Sequence, residues 1–290
     1  MFDENQYLNL IKEIIETGEE TITRNGKTKS VFGNMSKYNL VDGSLPLLTT
    51  KKVAWKTCLK ELLWFISGST DNGILQKSKV KIWNANASND FKRSQGLYYE
   101  DENDLGPVYG HQWRHFNAEY NDCHTDYTGK GVDQLNYIIN KLKDPNERYS
   151  RRLVMSAWNP CQLHQMVLPP CHTLVQFNVT NDDCLECCLY QRSGDVGLGV
   201  PFNIASYSFL THLIAHHCNL KAKRFVHVIG NAHIYKNHEE TLCKQLENSV
   251  YEFPKLIIKN KYDSIDDYKF EDFEVLNYNH HEKLEMEMVA

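Results

Sequence analysis

The chain has 290 residues, of which 41% are hydrophobic and 24% charged, and its formal net charge is −5 at pH 7. This length is enough for a large hydrophobic core, and the acidic balance argues against a dedicated nucleic-acid-binding protein, whose binding domain would normally be basic. The longest purely apolar runs have about five residues, far fewer than the roughly 18 needed to cross a bilayer. The acidic start also lacks the features of a secretory signal, so we expect a soluble cytoplasmic protein, with a nuclear location also open.

Four segments have the spacing of amphipathic helices, with apolar residues recurring at intervals of three and four. They are residues 6–18, 54–68, 132–144 and 203–219. A turn residue closes or follows each of the first three, which predicts helix ends near Gly18, Gly68 and Pro145.

Short runs rich in β-branched and aromatic residues, bounded by turn residues, predict strands. They are residues 152–158, 173–179, 184–190, 225–229 and 255–259. Helices and strands mix without strict alternation, which predicts one α+β domain over residues 1–290 rather than a doubly wound fold. Polar stretches near residues 86–103 and 117–131 lack a clear period, and we expect them to be surface insertions on this domain.

The chain has nine cysteines, an odd number that indicates reduced thiols rather than a disulfide framework. Cys171 is distinctive because it follows two prolines, precedes His172 and leads into an alternating apolar run, in the sequence LPPCHTLVQF. Two interpretations are open from these residues: a small buried core residue, or a nucleophile presented at the rigid mouth of a strand.

The segment from Leu189 to Leu210 has the highest density of polar chemistry. A strand delivers Gln191, Arg192, Ser193 and Asp195 to a turn that contains Gly194, Gly197 and Gly199, after which the residues PFN open a helix. Arginine, serine and exposed backbone amides suit a phosphate, and a carboxylate with an amide suits the edge of a heterocycle. The alternative is a polar turn in which Asn203 is the N-cap of the helix.

Two groups of residues suggest a metal site only weakly. The CLECC run has no matching ligand pair downstream, and a strand would send Cys184 and Cys187 to opposite faces. His212 and His216 have the spacing of two ligands on a helix but lack the glutamate of a metalloprotease motif. We therefore predict no metal.

Glu61 is a lone carboxylate among apolar neighbours in a predicted helix. Its neighbours four residues away, Thr57 and Phe65, are not cations, so burial of this carboxylate would be costly without a functional role. A position on the wet side of the helix is the alternative.

Six segments together resemble the motif series of the thymidylate synthase family, and they occur in the places where that family has them. They read ELLWFI, DLGPVYGHQWRHF, SRRLVMSAWNP, LPPCH, YQRSGDVGLGVPFNIASY and GNAHIYKNH. The resemblance implies the reductive methylation of dUMP by methylene-tetrahydrofolate, without a metal or a flavin. It also implies a large mixed, twisted sheet covered by helices, one face of which forms the interface of a homodimer. The two polar stretches are similar in place to insertions of eukaryotic members.

The resemblance implies a role for each matching residue. Cys171 is the nucleophile, and a nearby Arg192 would favour its thiolate. Glu61, Tyr109 and His172 handle protons, and Asn203 and Asp195 also belong to the catalytic set. The substrate-binding residues are Arg24, Gln191, Arg192, Ser193, Asp195, Asn203, His233 and Tyr235, with Arg151 and Arg152 reaching across from the partner subunit. The folate-binding residues are Lys51, Ile82, Trp83, Asp195, Leu198, Gly199, Phe202 and the terminal Ala290.

Within these sets the expected contacts differ. Asn203 reads the uracil edge, and His233 and Tyr235 contact the ribose. Asp195 pairs with the pteridine, Lys51 meets the glutamate tail of the folate, and the chain end closes over it. Two departures from the family pattern concern binding. The turn that contains Arg24 is one residue shorter, and Asn231 replaces the aspartate found two residues before the histidine.

Three alternative functions can be compared with the same residues. A deoxypyrimidine hydroxymethylase of the same fold would add water instead of hydride, although Asn203 disfavours a cytosine substrate. A cysteine hydrolase would combine Cys171 with a distant histidine and leave the arginines without a role. An RNA-binding protein is disfavoured by the net charge and by the absence of an RNA-recognition motif.

Overall fold

The computed structural model describes residues 4–23 and 26–288. The helices in these ranges are α1 (Asn5–Thr17), α2 (Trp55–Ile66), α3 (Asn72–Lys77), α4 (Asn84–Ala87), α5 (Asn89–Ser94), α6 (Tyr109–His115), α7 (Gln134–Lys143), α8 (Gly199–His217) and α9 (Glu239–Gln245). The strands are β1 (Glu19–Thr23), β2 (Gly26–Asn39), β3 (Val154–Ser156), β4 (His172–Val179), β5 (Cys184–Asp195), β6 (Lys221–Tyr235), β7 (Lys255–Ile258) and β8 (Phe273–Leu276).

A mixed sheet organises the fold. Within the described residues its strand order is β1-β2-β6-β5-β4-β3, and β7 and β8 form a separate pair. All neighbours are antiparallel except β5 and β6, which are parallel and are connected through α8. A parallel pair requires such a crossover, because its second strand must start again at the same end of the sheet. The predicted α+β class is therefore confirmed.

Helix α8 lies at the centre of the core. Its residues are buried around almost the whole circumference, and it packs against α2, β5 and β6. A helix that is apolar on all sides has no preferred wet face, so it is stable only where other elements surround it. This central position places the first turn of α8 beside the carboxyl end of β5.

The predicted ends of three helices are confirmed. Helix α1 ends at Thr17 directly before Gly18, and α2 ends at Ile66 before Gly68, which has a φ of +78°. The left-handed conformation at Gly68 costs glycine little, because it has no Cβ. Helix α7 ends at Lys143, two residues before Pro145.

The structure corrects several predicted boundaries. Strand β3 covers only Val154–Ser156, whereas β5 continues through Gly194 to Asp195, and α8 begins at Gly199. Asn203 therefore lies inside α8, and its predicted alternative role as the N-cap is wrong.

The hairpin of β1 and β2 was not predicted, and the polar stretch after residue 84 contains the short helices α4 and α5. None of the helices in residues 4–23 and 26–288 has the length and apolar character that a membrane span requires.

One face of the sheet is left uncovered in the single chain. Along β4, Val175 and Phe177 face the helices and are buried. Leu174 faces the opposite side of the sheet and is 41% exposed. Tyr190 on β5 and Met35 on β2 are 41% and 57% exposed. Apolar side chains clustered on an open sheet face indicate an interaction surface more often than scattered exposed residues do.

Candidate active site

Cys171 lies at the mouth of β4, and its backbone is fixed on two sides. Its N–H donates to Tyr109 Oη over 2.8 Å, and its carbonyl accepts from the N–H of Arg192 over 2.8 Å. The proline pair before it restricts the chain further, because each ring fixes φ. Cys171 is partly buried and makes no disulfide.

The guanidinium of Arg192 is held next to this thiol. It donates to the carbonyl oxygens of Pro170 and Pro169 over 2.8 and 2.9 Å, and its Nη2 lies 3.8 Å from Cys171 Sγ. The guanidinium group also lies over the ring of Trp158, and the distance from Arg192 Cζ to the ring centroid is 5.5 Å. Four contacts leave the long side chain little freedom, so this cation is preorganised.

The pKa of the Cys171 thiol reflects two opposing effects. Burial raises the pKa above its ordinary value, and the positive charge of Arg192 lowers it without cancelling that rise. Arg192 thus favours the thiolate, as expected, but a single chain does not bring the pKa below the usual range.

Gln191 connects β5 to the first turns of α8. Its Nε2 donates both to the carbonyl of Ser193 and to Asn203 Oδ1, each over 2.9 Å. Gly194 makes room for this amide, because a Cβ there would lie 3.2 Å from Gln191 Nε2 and 2.8 Å from a methyl of Val200. Asn203 therefore has an ordered side chain at the edge of the site.

Asp195 organises the turn between β5 and α8. Its Oδ1 accepts from the N–H groups of Gly197 and Leu198 over 2.8 and 3.4 Å. Lys51 supports the same turn from below, where its Nζ donates to the carbonyl of Gly197 over 2.6 Å. Burial lowers the pKa of Lys51 to about 8, although the charges of Asp195 and Glu4 act in the opposite direction. The Lys51 ammonium is thus directed at the backbone.

Glu61 lies on the inner side of α2, not on its wet side. Its Oε1 accepts from Trp83 Nε1 over 2.7 Å. Burial raises the pKa of Glu61 to about 7, and the hydrogen bond from Trp83 opposes this rise. The carboxyl therefore changes its protonation state near neutral pH.

Aromatic contacts connect Glu61 to the region of Cys171. The Trp83 ring meets Tyr109 edge-on at 6.3 Å, and Tyr109 stacks on His172 at 4.3 Å. His172 Nδ1 is 3.1 Å from Tyr207 Oη, and burial lowers its pKa to about 3, which keeps the ring neutral. This contact with Tyr207 was not predicted from the sequence, since the position of Tyr207 in a long apolar helix suggested only core packing.

The end of β6 brings two further predicted residues to the site. His233 pairs with Asp195 across the parallel strands, and its ring meets Tyr235 edge-on at 5.3 Å. Asn231 Oδ1 lies 3.1 Å from His233 Nδ1. Burial lowers the pKa of His233, and the charge of Asp195 opposes that effect. The amide at position 231 can thus still orient the imidazole.

A cavity of about 510 Å³ adjoins the turn after β5. Its lining combines residues from the loop before α2, the start of α8 and the C-terminal segment: Lys51, Lys52, Val53, Ala54, Gly197, Leu198, Pro201, Phe202, Glu282, Lys283, Leu284 and Met286. Lys52 is exposed here, in contrast to the buried Lys51. Sequence reasoning missed Lys52, because adjacent lysines carry no signal of which one is buried.

The C-terminal segment is tied along this cavity. The N–H of His281 donates to the carbonyl of Thr49 over 2.8 Å, and His238 Nε2 is 2.7 Å from the carbonyl of Glu287. These contacts hold residues 281–287 beside the turn after β5.

The remaining predicted binding residues are at the margin or outside the described ranges. Arg151 and Arg152 are exposed in the turn before β3, and no hydrogen bond or ion pair with a described residue holds either guanidinium. Ile82 is partly buried next to Trp83, and Gly199 begins α8. The predicted roles of Arg24 and Ala290 fall on residues outside the described ranges.

The weak metal alternatives do not gain support. Within residues 4–23 and 26–288, the only group of three potential ligands is Asp101, Cys123 and His124, whose ligand atoms lie within 4.8 Å of one another. It includes no residue of either predicted group. His124 already bonds Asp101 over 2.8 Å at the surface, which accounts for the cluster as an ion pair.

The fold and the site define an α+β protein with a free cysteine at a strand mouth, next to a fixed guanidinium on a strand whose preceding residue, Gln191, orders the Asn203 carboxamide. The family model described as thymidylate synthase matches residues 5–290, and the chain belongs to this family.

The chain is similar to stand-alone and bifunctional relatives. It is 54% identical to human thymidylate synthase over 289 residues, which cover 99% of this chain and 91% of that protein. It is 53% identical to thymidylate synthase of Equine herpesvirus 2 over 99% of this chain and 98% of that protein. It is 52% identical to bifunctional dihydrofolate reductase-thymidylate synthase of Paramecium tetraurelia over 99% of this chain. The chain spans 61%, 55% and 50% of the length of the bifunctional relatives from Paramecium tetraurelia, Zea mays and Arabidopsis thaliana.

Proposed function

We propose that this chain is a thymidylate synthase that converts dUMP to dTMP, with methylene-tetrahydrofolate as carbon donor and reductant. The observation that carries the proposal is the placement of Cys171 Sγ 3.8 Å from the guanidinium of Arg192, on the strand whose preceding residue Gln191 orders the amide of Asn203. One end of the sheet then provides a thiol nucleophile, a guanidinium that can bind a phosphate, and a carboxamide that can hydrogen-bond to a pyrimidine ring.

Covalent catalysis by Cys171 solves a specific chemical problem, because carbon-5 of uracil is a poor nucleophile. The thiolate forms a bond to carbon-6, and the electron pair of the ring double bond moves to the carbonyl as an enolate. Carbon-5 can then attack the one-carbon unit of the folate and lose its proton. The bond from that carbon to the folate nitrogen breaks next, which leaves a methylene group on carbon-5 and frees tetrahydrofolate. Hydride from the folate completes the methyl group as the carbon–sulfur bond breaks, which restores the thiolate and releases dTMP and dihydrofolate.

The nucleotide is held by charges and hydrogen bonds around this thiol. Arg192 and Ser193 bind the phosphate, with Arg24 from the same subunit. Asn203 accepts from the ring N–H and donates to the carbonyl oxygen, and His233 and Tyr235 contact the ribose. In this assignment Arg192 both binds the phosphate and lowers the pKa of Cys171. Its guanidinium is held in place by the Pro170 carbonyl, which suits both roles.

The folate occupies the cavity beside the turn after β5. Leu198 and Phe202 line this cavity, and Ile82, Trp83 and Gly199 extend the apolar surface around the bound folate. Asp195 binds the pteridine through the oxygen not used in its turn. Lys52 is better placed than Lys51 for the glutamate tail, because Lys51 is buried on the Gly197 carbonyl. The C-terminal segment up to Ala290 closes over the folate and excludes water.

Glu61 relays protons during the reaction, together with Tyr109 and His172. Its pKa of about 7 supports this role, since an acid–base group works best when its pKa is close to the operating pH. His172 stays neutral and positions Tyr109 by stacking on it.

The functional unit is a homodimer formed through the open sheet face. Leu174, Tyr190 and Met35 provide apolar area on that face, which a second copy would cover. The exposed Arg151 and Arg152 then extend to the phosphate in the neighbouring site, where their positive charge also favours the thiolate. All nine cysteines are free, which fits a reducing compartment such as the cytoplasm or the nucleus.

The two catalytic rivals are less well supported. A hydroxymethylase needs water at the intermediate, whereas Trp83 and the tied C-terminal segment favour a dry site. A cysteine hydrolase needs a histidine on the thiol, and among the described residues the hydrogen-bond partner of Cys171 Sγ is Arg192, while His172 is bonded to Tyr207.

The test is to mix the protein with dUMP and methylene-tetrahydrofolate and to follow the absorbance rise of dihydrofolate. We expect dTMP and dihydrofolate in equal amounts. Consumption of dUMP without that rise would establish the hydroxymethylase instead, and the absence of any nucleotide turnover would contradict the proposal.

A further inference from the structure

A buried histidine lies behind the residue that is proposed to read the base. His227 Nε2 is 2.8 Å from Gln191 Oε1, and Gln191 Nε2 donates to Asn203 Oδ1 over 2.9 Å. The three side chains thus form a continuous chain of hydrogen bonds from the interior of β6 to the edge of the site. His227 is 1% exposed, so no solvent competes for its hydrogen bond.

The orientation of the Gln191 amide follows from its neighbours. Its nitrogen faces the carbonyl of Ser193 over 2.9 Å, where an oxygen would meet another acceptor. Its oxygen therefore faces His227, and His227 must carry its proton on Nε2 to donate to it. Burial lowers the pKa of His227 to about 3, and the neighbouring His172 adds to this effect, so the ring stays neutral over the physiological range.

This direction is transmitted to Asn203. Because Gln191 presents an N–H, the oxygen of Asn203 must face it, and a turned amide would place two donors against each other. The fixed amide offers an acceptor to a ring N–H and a donor to a ring carbonyl, which is the pattern of uracil. Cytosine presents the opposite pattern and requires the turned amide.

We propose that His227 is a specificity-determining positioning residue that, through Gln191, holds the amide of Asn203 in the orientation that selects uracil over cytosine. This inference rests on the proposed function. Such a site rejects the wrong base because binding it would leave buried donors and acceptors unpaired. The direction of each donor therefore matters more than the number of contacts.

If His227 only filled space in the core, a side chain of similar shape without a donor would leave the preference for dUMP unchanged. Its ring packs at 5.5 Å from Phe225 in the core, and an apolar side chain of similar size would fill the same space. Only the Nε2 donor would be lost, and the Gln191 oxygen would then be buried without a donor from position 227. Methionine and glutamine at this position have similar shape, and only glutamine can donate.

The experiment compares His227→Met with His227→Gln by calorimetric titration with dUMP and with dCMP. We expect His227→Met to reduce the preference for dUMP by about tenfold, the typical effect of one buried hydrogen bond, and His227→Gln to restore most of it. The matched control is His212→Met, since His212 is also buried, has a pKa lowered to about 4 by burial, and bonds a carbonyl over 2.8 Å, that of Ser44. Its variant should keep the preference of the parent.

A direct measurement does not depend on any variant. Nitrogen NMR of the unmodified protein should find His227 neutral and protonated on Nε2 between pH 5 and pH 9, because Nε2 is the atom that faces Gln191. Protonation on Nδ1, or a charged ring, would overturn the proposal. A folded His227→Met variant with an unchanged preference would also overturn it. If the parent does not bind dUMP at all, the proposed function itself fails, and the two failures are thereby distinguished.

Discussion

The last residues of β5 and the turn before β3 both contribute arginines to the proposed phosphate site, but they differ in how the chain holds them. Arg192 is fixed by two proline carbonyls, the Trp158 ring and the Cys171 sulfur. Arg151 and Arg152 are exposed and have no such contacts with described residues. A cation that a single chain orders is ready for its ligand, whereas a cation left in solvent needs another surface to order it.

This difference shows how an active site can be divided between identical chains. The proposed nucleophile and the proposed base-reading residues are ordered within one chain, but burial still holds the pKa of Cys171 above its ordinary value. The exposed arginines and the open sheet face are consistent with completion by a partner. The predictions below test each side of this comparison, and they are ordered from the largest expected effect to the smallest.

Replacement of Cys171 by alanine should have the largest effect. We expect turnover to fall by more than about a thousandfold, because the step that activates carbon-5 is lost, while dUMP binding changes little. Steady-state kinetics and calorimetry measure the two quantities. The exposed Cys161 is the matched control, and Cys161→Ala should retain normal rates. Near-normal turnover of Cys171→Ala would sink the proposed mechanism.

Replacement of Arg151 by alanine should raise the KM for dUMP by about 10- to 100-fold, the usual value of a hydrogen bond to a charged group. Stability should be unaffected, because the side chain is exposed. Arg93, another exposed arginine, is the control and should give no change on substitution by alanine. An unchanged KM for the Arg151 variant would mean that this turn does not reach a phosphate.

Replacement of Glu61 by glutamine should remove one pH-dependent transition from the reaction rate and from the free energy of unfolding. The pKa of Glu61 is raised from 4.5 to about 7, so the folded state keeps a proton that the unfolded chain loses. Stability of the parent should therefore fall as pH rises from about 4.5 to 7, and the Gln variant should lack this decline. Thermal melting at pH 5 and pH 8 and a pH–rate profile measure the effects.

The exposed Glu13 on α1 is the control for this test. If Glu13→Gln and Glu61→Gln shifted the profiles equally, or neither did, the assignment of the titration to Glu61 would be incorrect.

Trp158→Ala should have the smallest effect, because it loosens Arg192 without removing it. The loss of a half-exposed contact between a cation and an aromatic face corresponds to about 0.5–1 kcal/mol, or roughly a two- to fivefold weaker binding of dUMP. Trp158→Phe keeps an aromatic face and should bind almost normally. Equal losses for both variants would show that ring stacking does not order Arg192.

Sequence patterns predicted the core helices well, because their apolar spacing and end residues act locally. Hairpin β1–β2 escaped prediction since β2 has exposed and buried residues in an irregular order, with Phe32 83% exposed on an edge region of the sheet. Strand alternation is visible only where one face is buried against the same chain. On β2 the burial pattern is irregular, so the sequence there lacks the alternation.

Family motifs identified the residues around Cys171, but not their contacts. Lys51 and Lys52 are neighbours in sequence, and only the fold determines that one is buried on Gly197. The bond between Gln191 and His227 joins residues 36 positions apart, and no local pattern indicates it. Tertiary contacts of this kind decide orientation and pKa, which the sequence does not encode locally.

The most direct test of the divided site is to mix two inactive or weakened subunits. A double variant Arg151→Ala/Arg152→Ala has an intact Cys171, and Cys171→Ala has intact arginines. If the arginines act across the interface, each mixed dimer contains one complete site, and random mixing should restore about one quarter of the parent activity at low dUMP. If mixed dimers form, as mass measurement of tagged subunits would show, and activity does not return, the arginines do not serve the neighbouring site and this account is contradicted.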